Sequence, residues 1–210
     1  MSAVSSRMTV GSPETDARWL DALSRLVGRA AHELKGALNG VSVNQEVIRS
    51  RADKPNATAA SLSSFATAAA DQLDVVISLT DAVLGLARKG REPIDVGLEV
   101  RRIAILLGAA ARSDGKQLTL DDAAALSVLG ATSAPGSAVR LAICESLLAA
   151  GDASTTVRCT VATNAPMPAI RIECGDGNAI TVGSEIVIAA ADAGITIRAE
   201  SSAVSISFPR

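Results

Sequence analysis

The feature that most limits what this chain can fold into is a seven-residue apolar repeat near the N-terminus. Leu20, Val27, Leu34, Val41 and Ile48 recur at that spacing, with Leu23, Ala30 and Ala37 between them. A period near 3.5 held this long is the seam of a helical bundle, and no strand produces it. The start is signalled by Ser12, Pro13, Glu14 and Asp16: a side-chain acceptor at the cap, a ring that suits the first turn, and acids at the positive end of the helix dipole. The spacing predicts one helix from Pro13 to about Ala52, ~60 Å long at 1.5 Å per residue.

Asp53-Lys54-Pro55-Asn56 breaks that helix, and Asn56 is placed to cap the next. Asn56-Ala57-Thr58 also matches a glycosylation acceptor, but without a secretion signal it is read as a cap. In the second helix Leu62, Ala69, Val76 and Val83 repeat every seven residues, followed at the other seam position by Ala66, Leu73, Thr80 and Ala87. So short a connection makes the helices antiparallel neighbours. A two-helix hairpin cannot cover both of its apolar faces. Two hairpins pairing into a four-helix bundle, a homodimer, is the expected solution.

After the linker Gly90-Arg91-Glu92-Pro93 the texture changes. Residues 98–112 read as a helix with Arg101 and Arg102 outward. Gln117 to Leu120 and Leu126 to Leu129 read as short strands. Pro135 to Ala150 reads as a helix entered through Ser133 and Pro135. Thr155 to Ala162 and Ala169 to Cys174 form a hairpin around Asn164-Ala165-Pro166. A helix over Ser184 to Ala191 precedes a closing hairpin of Ile195 to Ala199 and Ala203 to Phe208. The fold class expected is therefore α+β, a long antiparallel helical hairpin followed by a small α/β sandwich. Its domains would be a flexible N-terminus (1–12), a hairpin domain (13–90) and an α/β domain (94–210).

Composition narrows the function. Hydrophobic residues make up 48% of the 210, yet there is one Trp, two Phe and no Tyr, so the core is built from Ala, Leu, Val and Ile. Base stacking needs aromatics and phosphate backbones need a basic field; a net charge of -2 offers neither, which sets nucleic acid aside. Cys144, Cys159 and Cys174 have no CxxC spacing and read as free buried thiols of a reducing cytoplasm. No apolar run suits a signal peptide or a membrane span. A cytoplasmic protein with no membrane partner is expected.

The one histidine, His32, lies in His32-Glu33-Leu34-Lys35-Gly36-Ala37-Leu38-Asn39. His-Glu-Leu-Lys with Leu38 and Asn39 resembles the H-box of the dimerisation and phosphotransfer helices of bacterial sensor histidine kinases. The chain from Ile94 onward is similar in element order to the ATP-binding domain of those kinases. The departures matter as much. Val139 to Ala153 lines up with the N-box, but Ala149 stands where the magnesium-holding Asn would be and Glu145 replaces the earlier Asn. Ala has no oxygen for a hard cation. Cys174-Gly175-Asp176-Gly177-Asn178 sits at the adenine-reading Gly box, with Cys174 in place of its Asp, and reads as a plain turn. Thr181 to Ala191 then runs into the last helix with no lid between. An H-box hairpin joined to such a worn ATPase-like domain resembles the dimeric histidine phosphotransferases of bacterial phosphorelays. That resemblance implies a phosphoryl carrier on His32, serving receiver-domain aspartates without ATP. It implies no intrinsic cofactor and Mg²⁺ on the partner receiver. The partners implied are response-regulator receiver domains and a hybrid kinase. The alternatives are an inactive pseudo-histidine-kinase dimer that binds a receiver or kinase as a regulatory module, and an active divergent kinase, which requires ATP affinity.

The residues suit that chemistry. With Leu34 on the seam, His32 lies about 200° around the helix and faces solvent. An ordinary imidazole, of pKa ~6.5, is largely neutral near pH 7 and can attack phosphorus. Glu33 is adjacent and could accept the ring's other N–H, and Lys35 could offset phosphoryl charge. A zinc reading fails, because His-Glu-x-x-His needs a second His and position 36 is Gly. Gly36, Asn39, Gly40, Val43 and Val47 share the surface beside His32. Gly inside a helix costs roughly 0.5–1 kcal/mol against Ala, so the pair asks for a reason. A docking partner supplies one, and tight packing within the bundle is the competing explanation.

Overall fold

Helix α1 spans Pro13–Ala52, as its seam required. The Ser12 hydroxyl accepts the Thr15 backbone N–H at 3.1 Å, and Arg49 and Arg51 sit at the negative end of the dipole. The computed structural model describes residues 12–54, 58–88, 93–162 and 167–210, and of Ala110 and Ser113 the backbone only. The N-terminal segment to residue 11, the Asn56 cap, Gly90 to Glu92 of the linker and the Asn164-Ala165-Pro166 turn lie outside the described residues.

Helix α2 spans Ala59–Ala87 and is capped by Thr58. The Thr58 side chain accepts the Ser61 N–H at 3.2 Å while the Ser61 hydroxyl accepts the Thr58 N–H at 3.3 Å, a reciprocal box made with Ser where Glu is usual.

The two seams divide between inside and outside. Trp19, Ala22, Leu23, Leu26, Ala30 and Ala37 of α1 pack inward, as do Leu79, Ala82 and Leu86 of α2. Leu20 is 63% exposed, and Leu38, Leu73, Ile77 and Leu84 stand at 48–54%. Ala66, Thr80 and Ala87, at the second seam position of α2, are exposed as well. Within one chain, then, the hairpin leaves an apolar face on each helix uncovered. The buried line of α1 is rotated from the expected Leu20–Val27 line because α1 packs on α3 and α5 as well as on α2.

The second part runs β1 (Ile94–Asp95), α3 (Val96–Ser113), β2 (Gln117–Leu120), α4 (Ala123–Ser127), β3 (Ala131–Thr132), α5 (Gly136–Ala153), β4 (Thr156–Val161), β5 (Ala169–Cys174), α6 (Ser184–Asp192), β6 (Thr196–Glu200) and β7 (Ala203–Ser207). Five strands form one sheet in the order β2-β4-β5-β7-β6; β2 runs parallel to β4 and the other neighbours are antiparallel. β1 and β3 make a separate two-stranded ribbon. Alternation sets the layers: Val157, Cys159, Ile170, Ile172, Val204 and Ile206 are buried under the helices, while Arg158, Arg171, Glu173 and Ser205 face out.

One expected strand is overturned. Leu126 to Leu129 is the end of α4 and the turn after it, and the strand is Ala131–Thr132. The Asp122 carboxylate accepts the Ala125 N–H at 2.7 Å, and that cap with three alanines behind it closes a helical turn. Arg102, expected outward, also turns in.

Arg102 joins a buried charge cluster at the joint between hairpin and sheet. Arg140 Nε and Arg102 Nη1 each donate to the Glu99 carboxylate at 2.8 Å, and Arg140 Nη1 donates to the Arg88 carbonyl at 3.0 Å. Glu99 is 3% exposed and Arg140 5%. Gly85 of α2 lies where a Cβ would collide with the Arg102 guanidinium. Around this cluster, Trp19, Leu26, Leu79 and Leu86 share one continuous core with Val100, Ile103, Leu106, Val139 and Ile143.

Candidate functional site

His32 is exposed midway along α1. On a helix the neighbours of a side chain are three and four residues away, and for His32 these include Arg29 and Lys35, both exposed. At 3.6 residues per turn they lie ~60° to either side of it. Glu33 points elsewhere. It is half-buried, and its Oε1 lies 3.7 Å from Nη2 of Arg112 in the last turn of α3. Adjacent residues project about 100° apart on a helix, so the expected hydrogen bond from the ring to Glu33 is replaced by an ion pair across to the second part of the chain.

The residues expected to form a docking strip differ in exposure. Gly36 faces open space, Asn39 is exposed, Val43 is 62% exposed and Val47 is half-buried. Gly40 is turned inward: a Cβ there would meet Gln72 Cγ of α2 at 3.1 Å. Its lack of a side chain leaves room for Gln72, in line with the competing explanation, packing within the hairpin.

Two grooves border α1 at Arg29, three residues before His32. One, of about 400 Å³, runs between α1, α5 and the segment leading into α6, lined by Arg25, Arg29, Glu145, Ala149, Asp152 and Glu185. Arg25 spans it in an ion pair with Glu145 and also pairs with Asp21. A smaller recess of about 50 Å³ adjoins it, and Arg29, Leu148 and Asp152 belong to both. A further groove of about 420 Å³, between α2, α3 and β2, contains Arg112.

The α5 wall is where the resemblance would put a magnesium nucleotide, and its donors do not fit one. Ala149 offers a methyl group, and Glu145 is occupied by Arg25. Cys174 is 6% exposed, and its thiol donates to the Ala150 carbonyl at 3.7 Å. The turn after it is spent on closing α5. Asn178 Nδ2 donates to the Ala153 carbonyl at 2.8 Å, the Asp176 carboxylate accepts the Asn178 N–H at 3.3 Å, and Gly177 supplies a φ of 76°.

No protein-family model matches the chain, and no curated protein matches it in sequence. Two of the solved structures that are similar to it illustrate the likeness. One is a bacterial phosphotransferase, 14% identical over 90% of this chain and 95% of that one, with a TM-score of 0.42. The other is the Acinetobacter baumannii histidine kinase AdeS, 12% identical over 85% of this chain and 97% of that one, also with a TM-score of 0.42. Both likenesses are distant.

Sequence reasoning missed Arg29 and Arg112. Arg29 was within reach, since three residues back from a lone histidine is a neighbouring position on any helix. Arg112 was not, because only the packing of α3 on α1 brings it to Glu33.

Proposed function

We propose that this protein is a phosphorelay histidine phosphotransferase, carrying a phosphoryl group on His32 between receiver-domain aspartates without using ATP. The observation that carries the reading is the exposed His32 at the head of a His-Glu-Leu-Lys run on a 40-residue helix. The neutral imidazole nitrogen attacks the phosphorus of a phosphoaspartate in line. A P–N bond forms, the P–O bond to the acyl oxygen breaks, the carboxylate leaves, and the ring's other N–H gives up its proton to solvent. The second transfer reverses these steps on another receiver. Lys35 offsets negative charge on the phosphoryl oxygens. The receiver brings the aspartate and its Mg²⁺. The uncovered Leu38, Leu73, Ile77 and Leu84 favour a second copy of the chain, completing a four-helix bundle that presents His32 twice.

The test is incubation with a panel of phosphorylated receivers. Label is expected on the wild type and absent from His32→Ala. A wild type that takes no label, or a His32→Ala variant that still does, sinks the reading. Receiver binding without phosphoryl exchange, unchanged in His32→Ala, would instead mark a regulatory binding module. A melting shift with ATP would point to a kinase.

A further inference from the structure

We infer that Arg29 is a second working residue of the His32 site, one that grips the phosphoryl group in transit; this rests on the phosphocarrier reading above. Arg29 lies three residues before His32 on the same exposed face of α1, as Lys35 lies three residues after it. Along the helix, position 32 is thus flanked one turn away on each side by an exposed basic residue.

Arg29 also differs from the other arginines of its helix half. Arg18 is held by Glu14, and Arg25 by Asp21 and Glu145. Arg29 makes no ion pair or side-chain hydrogen bond with any of the described residues. It lines both grooves beside α1, as does Asp152 of α5, with which it makes no ion pair. A long cation kept unspent beside a nucleophile fits an anion that arrives from outside.

The two cations are suited to different tasks. During transfer the three equatorial phosphoryl oxygens carry the charge while the P–O bond to the aspartate opens and the P–N bond to His32 closes. A planar guanidinium donates two parallel hydrogen bonds to two of those oxygens and so fixes their orientation, whereas an ammonium acts as a point charge. Arg29 supplies the fork and Lys35 the point charge. Neither gains nor loses a proton in the step.

Single-turnover transfer from a phosphorylated receiver to the 210-residue chain tests this with Arg29→Ala, Arg29→Gln and Arg29→Lys. Phosphoramidate serves as a second, small donor that needs no docking surface. Arg29→Ala and Arg29→Gln should lower the saturated transfer rate on the order of 10²-fold. The receiver concentration at half-saturation should stay unchanged, and phosphoramidate labelling should slow in parallel. Arg29→Lys should recover part of the rate. Because Arg29 is exposed, all three variants should keep the wild-type melting curve. A wild-type rate in Arg29→Ala overturns the inference. So does a defect confined to half-saturation with phosphoramidate labelling intact, which would make Arg29 a docking residue. A wild type that accepts no label is a different result: it removes the phosphocarrier reading, and the role of Arg29 goes with it.

Discussion

At the scale of single residues, identity along the chain made some properties plain and hid others. That His32 faces solvent follows from its angle to Leu34, and the structure places it there. That Glu33 looks away from it does not follow from any local pattern, because the carboxylate answers to Arg112 on another element. This pair is solvent-exposed on the Arg112 side, so Arg112→Ala should change stability by less than about 1 kcal/mol, read from urea melts. The thiols make a sharper case. Cys144 and Cys159 are fully buried, and burial pushes both thiols up, with Glu145 adding to the first and Asp121 to the second; Cys159 reaches about 12 from an ordinary 9.0. An unfolded thiol therefore loses its proton at lower pH than the folded one. The stability linked to Cys159 is complete below about pH 9 and is lost as pH climbs toward 12. The slope is about 1.4 kcal/mol per pH unit per thiol. Urea melts at a series of pH values from 8 to about 11 should show that decline, and Cys159→Ala should make it shallower by about 1.4 kcal/mol per pH unit, leaving the contribution of Cys144.

At the scale of elements, what could be read was whatever short-range chemistry decides. The bounds of α1 came from Ser12, Pro13 and a long seam, and Ser12→Ala should cost about 1 kcal/mol in a thermal or urea melt. The Thr58 box was less visible because Ser at its third position signals more weakly than Glu. Leu126 to Leu129 misled because four residues, half of them Leu, fit a strand as well as a helical turn, and only the Asp122 cap decides. The cluster at the joint was beyond reach, since Glu99 and Arg140 lie on different helices. Its energetics are asymmetric. Arg140→Met leaves a buried carboxylate with half its partners and should destabilise by about 3–5 kcal/mol. Gly85→Ala should cost about 1–3 kcal/mol, because the new methyl group displaces Arg102 from Glu99. A double-mutant cycle between Gly85→Ala and Arg102→Met should show strong coupling in urea melts.

At the scale of the whole molecule, the hairpin-then-sheet order was legible from periodicity changing along the chain, but the way the parts join was not. The uncovered apolar faces lead to a definite expectation: light scattering should give about twice the 21.3 kDa chain mass, and Leu73→Glu with Ile77→Glu should give monomers that stay folded. The joint leads to another. Trp19, the single tryptophan, is 5% exposed in a core that the hairpin shares with α3 and α5. Its fluorescence and the far-ultraviolet circular dichroism should therefore change together in one unfolding transition. Sequence texture suggested two domains because a linker separates two patterns. Burial runs straight through, since α1 needs more apolar cover than α2 alone provides.

That shared core bears on covalent continuity. Arg140 holds the Arg88 carbonyl from the far side of the linker, and the helices on either side of it are packed into each other. A peptide bond cut between Arg88 and Pro93 would therefore leave both fragments in one particle. Expressed as two separate polypeptides, the halves should find each other and restore the Trp19 emission, a complementation pair in which reassembly itself becomes the signal.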